Sequence, residues 1–312
     1  MAATQTLQDT IDFVQPFLSW ANLAIGVNSE PAMSSANLVL QTIVSPPFIW
    51  PWNRAFAQFI TIQGIQDYQL NITNYGFLEA ASIQMYATIT SVVANGTTAV
   101  FQAINNFSGG SIDGGFPTNV VIVGCTTTGL NGTQVMTGAT ATSFTIETTV
   151  TVTENETTAY ATAGKIFPLT LKWGALTDAT EQGRSTFIST QFSNESGVTF
   201  TLRLLPVPDT TYQVKLIYQE SPTPFTSLSN TWGIPDQLQY IYNYFFLFLM
   251  LDYFDDPRAA RYRQLAVASL LSRADGLDLT ARNMFIGNWL DLIREETSSE
   301  ESTQQGSQAR GL

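Results

Sequence analysis

Residues 86–164 contain no lysine or arginine, although the rest of the 312-residue chain carries 13 basic residues. The segment is crowded with threonine, and stretches such as 87–93 (ATITSVV) alternate apolar residues with threonine or serine. Alternation with a period of two is typical of β-strands that have one buried and one exposed face. The segment is therefore predicted to be a small all-β domain, of sandwich or barrel type, inserted between regions of different composition.

Two dipeptides within this segment, Asn95-Gly96 and Asn131-Gly132, predict tight hairpin turns, because Asn and Gly accept the positive φ that such turns require. Before it, an apolar run at residues 59–62 and a turn at Gln63-Gly64 predict a further β-hairpin. Additional strands are predicted outside the segment at residues 77–83 and 212–218. Residues 167–173 and 199–206 return to the aromatic, charged character of residues 1–85.

Helical spacing of apolar residues marks both ends of the chain. Near the N-terminus it predicts one helix from about residue 10 and a second one that begins near Pro31 and ends before Pro46. Near the C-terminus it predicts a buried helix after Pro235, another after Pro257 and a last one over residues 279–294. The most apolar stretch, 240–251, is shorter than the ~20 residues that a membrane-spanning helix needs.

These patterns predict an α+β protein. The expected body is a bundle of N- and C-terminal helices with a few antiparallel strands, formed by residues 1–85 and 165–295 as one discontinuous, adaptor-like unit. The Thr-rich all-β domain at 86–164 interrupts it. Residues 296–312 are rich in Ser, Gln, Glu and Gly and are expected to form a disordered tail.

The chain is acidic and poor in charge, with a net charge of −12 and only 12% charged residues. Because Lys and Arg are few, the chain is not expected to bind nucleic acid by neutralising its phosphates. DNA could still pass close to such a surface without being bound. The first residues lack the basic and apolar regions of a signal peptide, so we expect synthesis in a cytoplasm and no membrane association.

Histidine is absent from the whole sequence, which removes the commonest general base and metal ligand. Two groups of carboxylates remain to be weighed. Asp252, Asp255 and Asp256 precede a predicted helix and are expected to cap it rather than to catalyse a reaction. Glu154 and Glu156 flank Asn155 in the Thr-rich segment, and acid pairs are the minimum that a glycosidase needs.

The single cysteine, Cys125, follows an apolar run and is expected to be a buried, inert thiol. No phosphate-binding or dinucleotide-binding glycine motif has the strand-turn-helix setting that it requires. The sequence therefore predicts no catalytic, cofactor-binding or metal-binding residue, no cofactor, and a protein that is not an enzyme.

Several segments resemble the head-to-tail adaptor proteins, also called tail tubular proteins, of tailed bacteriophages. The resemblance is carried by the aromatic-Asn segment 48–54 (FIWPWNR), by 61–68 (TIQGIQDY), and by the stretch from Ile234-Pro235-Asp236 to residues 257–260 (PRAA). The Thr-rich segment is separately similar to small β-domains inserted in phage virion proteins, on residues 120–126, 129–133 and 140–146.

This resemblance implies a structural virion protein of the phage neck. It would form a homo-oligomeric ring of about twelve subunits that binds the portal protein and the tail or nozzle proteins, with DNA passing through the lumen unbound. The virion would be its location after synthesis in the host cytoplasm. Two alternatives stay open: a tail terminator or tail-tube-proximal protein, and a carbohydrate-binding, adhesin-like module suggested by the Thr-rich strands and by exposed Trp50 and Trp52.

Overall fold

The computed structural model of the chain describes residues 5–18, 31–45, 48–104, 107, 119–172, 180–191 and 199–273. The fold divides into a helical unit, formed by Met1–Arg54 with Gln219–Leu312, and a β unit, formed by Ala55–Tyr218. The two units therefore meet in the sequence at residues 54/55 and 218/219, outside the Thr-rich segment.

Strands make up most of the β unit. They are β1 (Arg54–Ile60), β2 (Asp67–Asn71), β3 (Tyr75–Asn95), β4 (Thr98–Ile104), β5 (Asn119–Val123), β6 (Gly132–Ala139), β7 (Ser143–Glu147), β8 (Thr151–Asn155), β9 (Tyr160–Leu171), β10 (Gln182–Gly183), β11 (Phe187–Gln191), β12 (Thr199–Leu205), β13 (Val207–Pro208) and β14 (Tyr212–Glu220).

The expected helical-bundle body with a few strands is wrong. Among the described residues, a 12-stranded mixed sheet dominates and β10 with β13 forms a small second sheet, whereas the α-helices are α1 (Leu7–Val14), α2 (Ala32–Val44), α3 (Gln239–Tyr253) and α4 (Ala259–Arg273). The physical reason is that β3 and β9 are longer than the Thr-rich segment allowed for. Because β3 and β9 run through residues 86 and 164, the strands on either side of the Thr-rich segment pair onto the same sheet.

Six strands close into an antiparallel barrel. Going around it, β3 pairs with β4, β4 with β7, β7 with β6, β6 with β5, β5 with β9, and β9 again with β3. Alternate residues fill the interior, where the rings of Phe101 and Phe144 stack with centroids 4.8 Å apart. In the wall formed by β3 and β9, Ala87 pairs with Ala161, and both side chains are fully buried.

The same two long strands extend the sheet beyond the barrel. β14 and then β1 follow β3 on one side, while β11, β12 and β2 follow β9 on the other. The β11–β9 pairing is parallel, with Phe187 opposite Thr170, which makes the sheet mixed. Leu202, Leu204 and Val214 of these outer strands belong to the same buried cluster as the barrel interior. A single hydrophobic core therefore serves the whole β unit.

The three predicted turns have different outcomes. The hairpin at Asn95-Gly96 is confirmed, since β3 and β4 pair across it. At Gln63-Gly64 a turn is present, but the hairpin is wrong because β1 pairs with β14 and β2 with β12. The tight turn at Asn131-Gly132 is also wrong, because residues 124–131 form a longer loop between β5 and β6.

The predicted helices in the described ends of the chain are confirmed as α1 to α4. The last predicted helix, 279–294, and the expected tail, 296–312, lie outside the described residues. α3 is buried as expected, and the Tyr242 hydroxyl donates a hydrogen bond to the Ala36 carbonyl of α2 at 2.9 Å. In the part of the chain that the structure describes, no helix is long and apolar enough to span a bilayer.

Phe48 and Trp50 of the aromatic-Asn segment that carries the resemblance lie in the core of the helical unit. The Trp50 indole N–H donates to the Ile43 carbonyl at 2.7 Å, and its backbone N–H donates to the Gln219 side chain at 3.2 Å. The Asn53 side chain donates to the Glu220 carbonyl at 2.8 Å. These bonds tie the residues just before β1 to the residues at the end of β14, so both connections to the β unit leave from one fixed place.

Replacing Trp50 with alanine tests this anchoring. Because the indole is buried and hydrogen-bonded, the W50A variant should lose about 3–5 kcal/mol of unfolding free energy in the helical unit. Denaturant unfolding followed by the helical circular dichroism signal measures the loss. The matched control is F13A on α1, whose ring is 41% exposed and whose removal should cost about 1 kcal/mol or less; equal losses in the two variants would contradict the assignment.

Candidate functional surfaces

The acid pair Glu154 and Glu156 holds a loop of the barrel. Glu154, on β8, accepts hydrogen bonds from the Thr127 backbone N–H at 3.2 Å and the Thr127 hydroxyl at 3.0 Å. Glu156 does the same with Thr126, at 3.0 and 3.1 Å. Each carboxylate thus binds the backbone and side chain of one threonine. All four carboxylate oxygens have protein donors, so the pair serves as a clamp on the 124–131 loop.

Cys125 lies in the same loop and is buried, as predicted. The Asn131 side chain accepts from the Cys125 N–H and donates to its carbonyl, both at 2.9 Å, so it closes the loop around the cysteine. Burial, and to a smaller extent the negative charges of Glu156 and Glu154, together raise the pKa of the Cys125 thiol to about 12. The sulfur is consequently a protonated thiol at neutral pH, which is a poor nucleophile.

Thiol labelling measures this state directly. At neutral pH the native protein should react with iodoacetamide far more slowly than the denatured chain, because the native thiol is both buried and protonated. Mass spectrometry of the alkylated protein before and after addition of denaturant checks the expectation. Rapid alkylation of Cys125 in the native protein would show that the loop opens readily or that the thiolate forms near neutral pH.

Asp252 lies in α3, whereas Asp255 and Asp256 lie between α3 and α4, so none of the three is in the first turn of α4 as expected. Asp256 instead fixes the turn that leads into α4. Its carboxylate accepts the Arg258 backbone N–H at 2.9 Å and two hydrogen bonds from the Arg258 guanidinium, at the start of α4. The guanidinium also donates to the Phe17 carbonyl at 2.9 Å. Side-chain and backbone hydrogen bonds from Arg258 lower the pKa of Asp256 to about 2. Asp252 is exposed at the end of α3, and Asp255 has a positive φ of 53° in the turn between the helices.

The lowered pKa of Asp256 fixes the sign of a pH dependence. Its ionised form stabilises the folded state above the ordinary pKa of 3.8, and this contribution is lost as the pH falls through about 2. The D256N variant should therefore unfold at a lower temperature than the parent chain near neutral pH, and the difference should shrink as the pH falls across that window. Thermal scans at several pH values test this, with D252N as the control that should behave like the parent throughout.

The two tryptophans expected to be exposed are buried or half-buried. Trp50 is only 2% exposed and Trp52 is half-buried, with ring centroids 5.8 Å apart inside the helical unit. A sugar ring needs an accessible aromatic face to stack on, and the Trp50 face is covered by Phe48 and Trp52. The expectation of exposed tryptophans is wrong.

The β unit carries a groove of about 720 Å³ on the sheet face turned away from the core. It crosses β1, β14, β3 and β9, and side chains that point to that face line it: Phe56, Ala80, Ser82, Pro168, Lys215 and Ile217. Phe56 is 74% exposed. Lys215 makes no hydrogen bond or ion pair with another residue in the described part of the chain. The groove is thus mostly apolar, with Gln58 as a further polar lining residue and with one positive charge that no described residue neutralises.

The turn between β1 and β2 forms an exposed apolar tip. Ile62 is 58% exposed and Ile65 is 41% exposed. The Tyr68 hydroxyl accepts from the Ile62 N–H at 3.0 Å and donates to the Ile65 carbonyl at 2.8 Å. Gly64, whose φ of +79° suits a residue without a Cβ, donates its N–H to the Pro208 carbonyl at 2.9 Å. The tip is therefore held in one conformation although its side chains face outward.

An acidic residue flanks this tip. Asp209 follows Pro208 directly, is exposed, and accepts a hydrogen bond from the Tyr212 hydroxyl at 2.8 Å. The Thr61 hydroxyl donates to the neighbouring Thr210 carbonyl at 3.1 Å, which fixes this turn beside the tip. Two isoleucines and one carboxylate are thereby presented together.

Neither the groove nor the tip was predicted from the sequence. The sequence does contain an indication of the tip, because Ile62 and Ile65 lie in a four-residue turn, where polar residues are usual. The sequence contains no such indication of the groove, because the groove depends on which strands lie next to each other in the sheet. Within the described residues, no group of three or more acidic or cysteine side chains is arranged to hold a metal ion.

Comparisons with known proteins do not assign the chain to a family. No protein-family model matches the chain, and no curated protein matches it in sequence.

Proposed function

We propose that this chain is a structural protein of the neck of a tailed bacteriophage, where a ring of copies connects the portal to the tail and surrounds the DNA channel. The observation that carries the proposal is the outer surface of the β unit, which is poor in charge and exposes large apolar side chains on a rigid sheet. Contiguous apolar surface, such as the groove around Phe56 and Ile217, is typical of contacts between proteins. The resemblance of residues 48–54, 61–68 and 234–260 to phage adaptor proteins gives the proposal its particular place in the virion.

The exposed apolar residues are spread over several strands. Phe56 on β1, Val135 on β6 and Ile166 on β9 are 74%, 62% and 53% exposed. A free monomer gains nothing from keeping them in water, because burial of apolar area is the main source of association free energy. A ring in which each subunit contacts two neighbours, and also a portal and a tail protein, offers partners for more than one such surface.

The acidic groups support a structural role over a catalytic one. Glu154, Glu156 and Asp256 are engaged in hydrogen bonds that hold a loop or a helix start. What remains outward is a surface with a net negative balance over the chain. A lumen of that sign does not retain DNA by phosphate neutralisation, which suits a channel that DNA must traverse.

A tail terminator or tail-tube-proximal protein is the second candidate, because the same surfaces would serve a ring on the tail. The symmetry of the ring separates the two, since a dodecamer fits the portal-bound position and a hexamer fits the tail. The carbohydrate-binding alternative loses one of its two grounds because Trp50 is buried, and it then rests on the Thr-rich strands alone.

Assembly of the purified chain tests the neck proposal. We expect rings of about twelve subunits, either spontaneously or after addition of the portal protein encoded by the same genome. Mass photometry and negative-stain class averages give the stoichiometry and symmetry. A portal ring from an unrelated phage is the control, and a chain that stays monomeric with its own portal present and does not bind it would contradict the proposal.

A further inference from the structure

The tip and the groove of the β unit complement each other. The tip presents Ile62 and Ile65 with the Asp209 carboxylate beside them. The groove presents an apolar floor around the Lys215 ammonium, which has no partner among the described residues. The tip is therefore apolar with one negative charge, and the groove is mostly apolar with one positive charge, so the two surfaces are complementary.

One copy does not place its own tip in its own groove. Ile62 follows Phe56 by six residues, most of them in the extended strand β1, so the two lie about 20 Å apart at the ~3.3 Å rise of a strand residue. Lys215 is the fourth residue of β14, and Asp209 lies in the bend three residues before that strand. The sheet keeps both separations fixed, because β1 and β14 are paired with each other. The complementary surfaces can meet only between two copies.

We infer that in the assembled protein the tip of each copy, formed by Ile62, Ile65 and Asp209, seats in the groove of the next copy around Phe56 and Lys215. The occupant of the groove is thus a second copy of this chain. The inference rests on the proposed ring and names the contact that builds it. The isoleucine side chains contribute apolar burial, and the Asp209–Lys215 pair sets which end of the groove the tip enters.

This contact is head-to-tail, because the two surfaces are different patches of one subunit. Contacts of this kind propagate from copy to copy and close into a ring when the rotation per step divides a full turn. The tip is already held by Tyr68 and Pro208, so little conformational entropy is lost when it docks. A neck ring with rotational symmetry requires this type of interface.

Site-directed cross-linking tests the contact. I65C and S82C place one thiol on the tip and one in the groove, and a short bis-maleimide joins them when they meet. We expect a cross-linked dimer in a mixture of the two variants, and no dimer in either variant alone, because a tip meets a groove and never another tip. The parent chain, with buried Cys125, and a mixture of V135C with S82C are the controls.

Charge reversal provides a second, independent measurement. K215E should weaken association of the copies on the order of tenfold, and the double variant D209K/K215E should recover most of that loss by restoring an opposite-charge pair. K172E, which makes the same change at a lysine over the Phe187 ring, should associate like the parent. Concentration-dependent mass photometry gives the dissociation constants, and thermal scans verify that each variant is folded.

The outcomes separate this inference from the neck proposal. Rings that form normally in K215E, with no cross-linking between I65C and S82C, overturn the inference and leave the neck proposal standing. Cross-linking that yields open filaments or dimers, without rings or portal binding, supports the contact and contradicts the neck proposal. Absence of cross-linking together with a monomeric parent chain overturns both.

Discussion

The antiparallel pairing of β3 with β9 is the constraint on which the β unit depends. From Ala81 opposite Leu169 to Thr88 opposite Tyr160, the two strands pair with one shift of register between Ile83 and Met85, and this pairing serves both as a wall of the closed barrel and as the centre of the open sheet beyond it. Residues of both parts share one hydrophobic cluster. Backbone groups in such a ladder are satisfied only while both strands stay in register, so a slip in either strand would disturb the barrel and the outer sheet together.

The proposed interaction surfaces follow from the same ladder. The groove exists because Ser82 of β3 lies opposite Pro168 of β9 and next to the outward residues of β14 and β1. The tip is where the chain leaves β1 for β2 at the far end of the sheet, and the Tyr68 hydroxyl and the Pro208 carbonyl hold it there. A sheet that fixes two complementary surfaces at a constant separation suits repeated contacts between identical subunits. The loop around Cys125, held by Glu154 and Glu156, and the turn before α4, held by Asp256, are likewise fixed by side-chain hydrogen bonds.

Local patterns in the sequence predicted the elements, and long-range pairing decided the architecture. The alternation at residues 87–93, the proline before α2 and the aspartate before α4 act over a few residues, and the structure confirms the strand and both helix starts. The hairpin at Gln63-Gly64 failed because its two strands found partners far away, β14 and β12, that no local signal specifies. Asn131 failed as a turn residue because its side chain binds the backbone of Cys125 instead. The composition changes at residues 86 and 164, but β3 and β9 continue through both positions, so neither change coincides with the end of a strand.

Native-state hydrogen exchange tests most directly whether one ladder unites the barrel with the outer sheet. Amides of β3 and β9 within the barrel, such as Ala87 and Ala161, should exchange with the same free energy of opening as those outside it, such as Ile83 and Leu169, because the shared ladder and core open together. Parallel dependence on denaturant for all four amides is the predicted result. If the amides of residues 86–164 open in a separate step while those of the flanking strands stay protected, the Thr-rich segment is an independent domain and the account of a single β unit is contradicted.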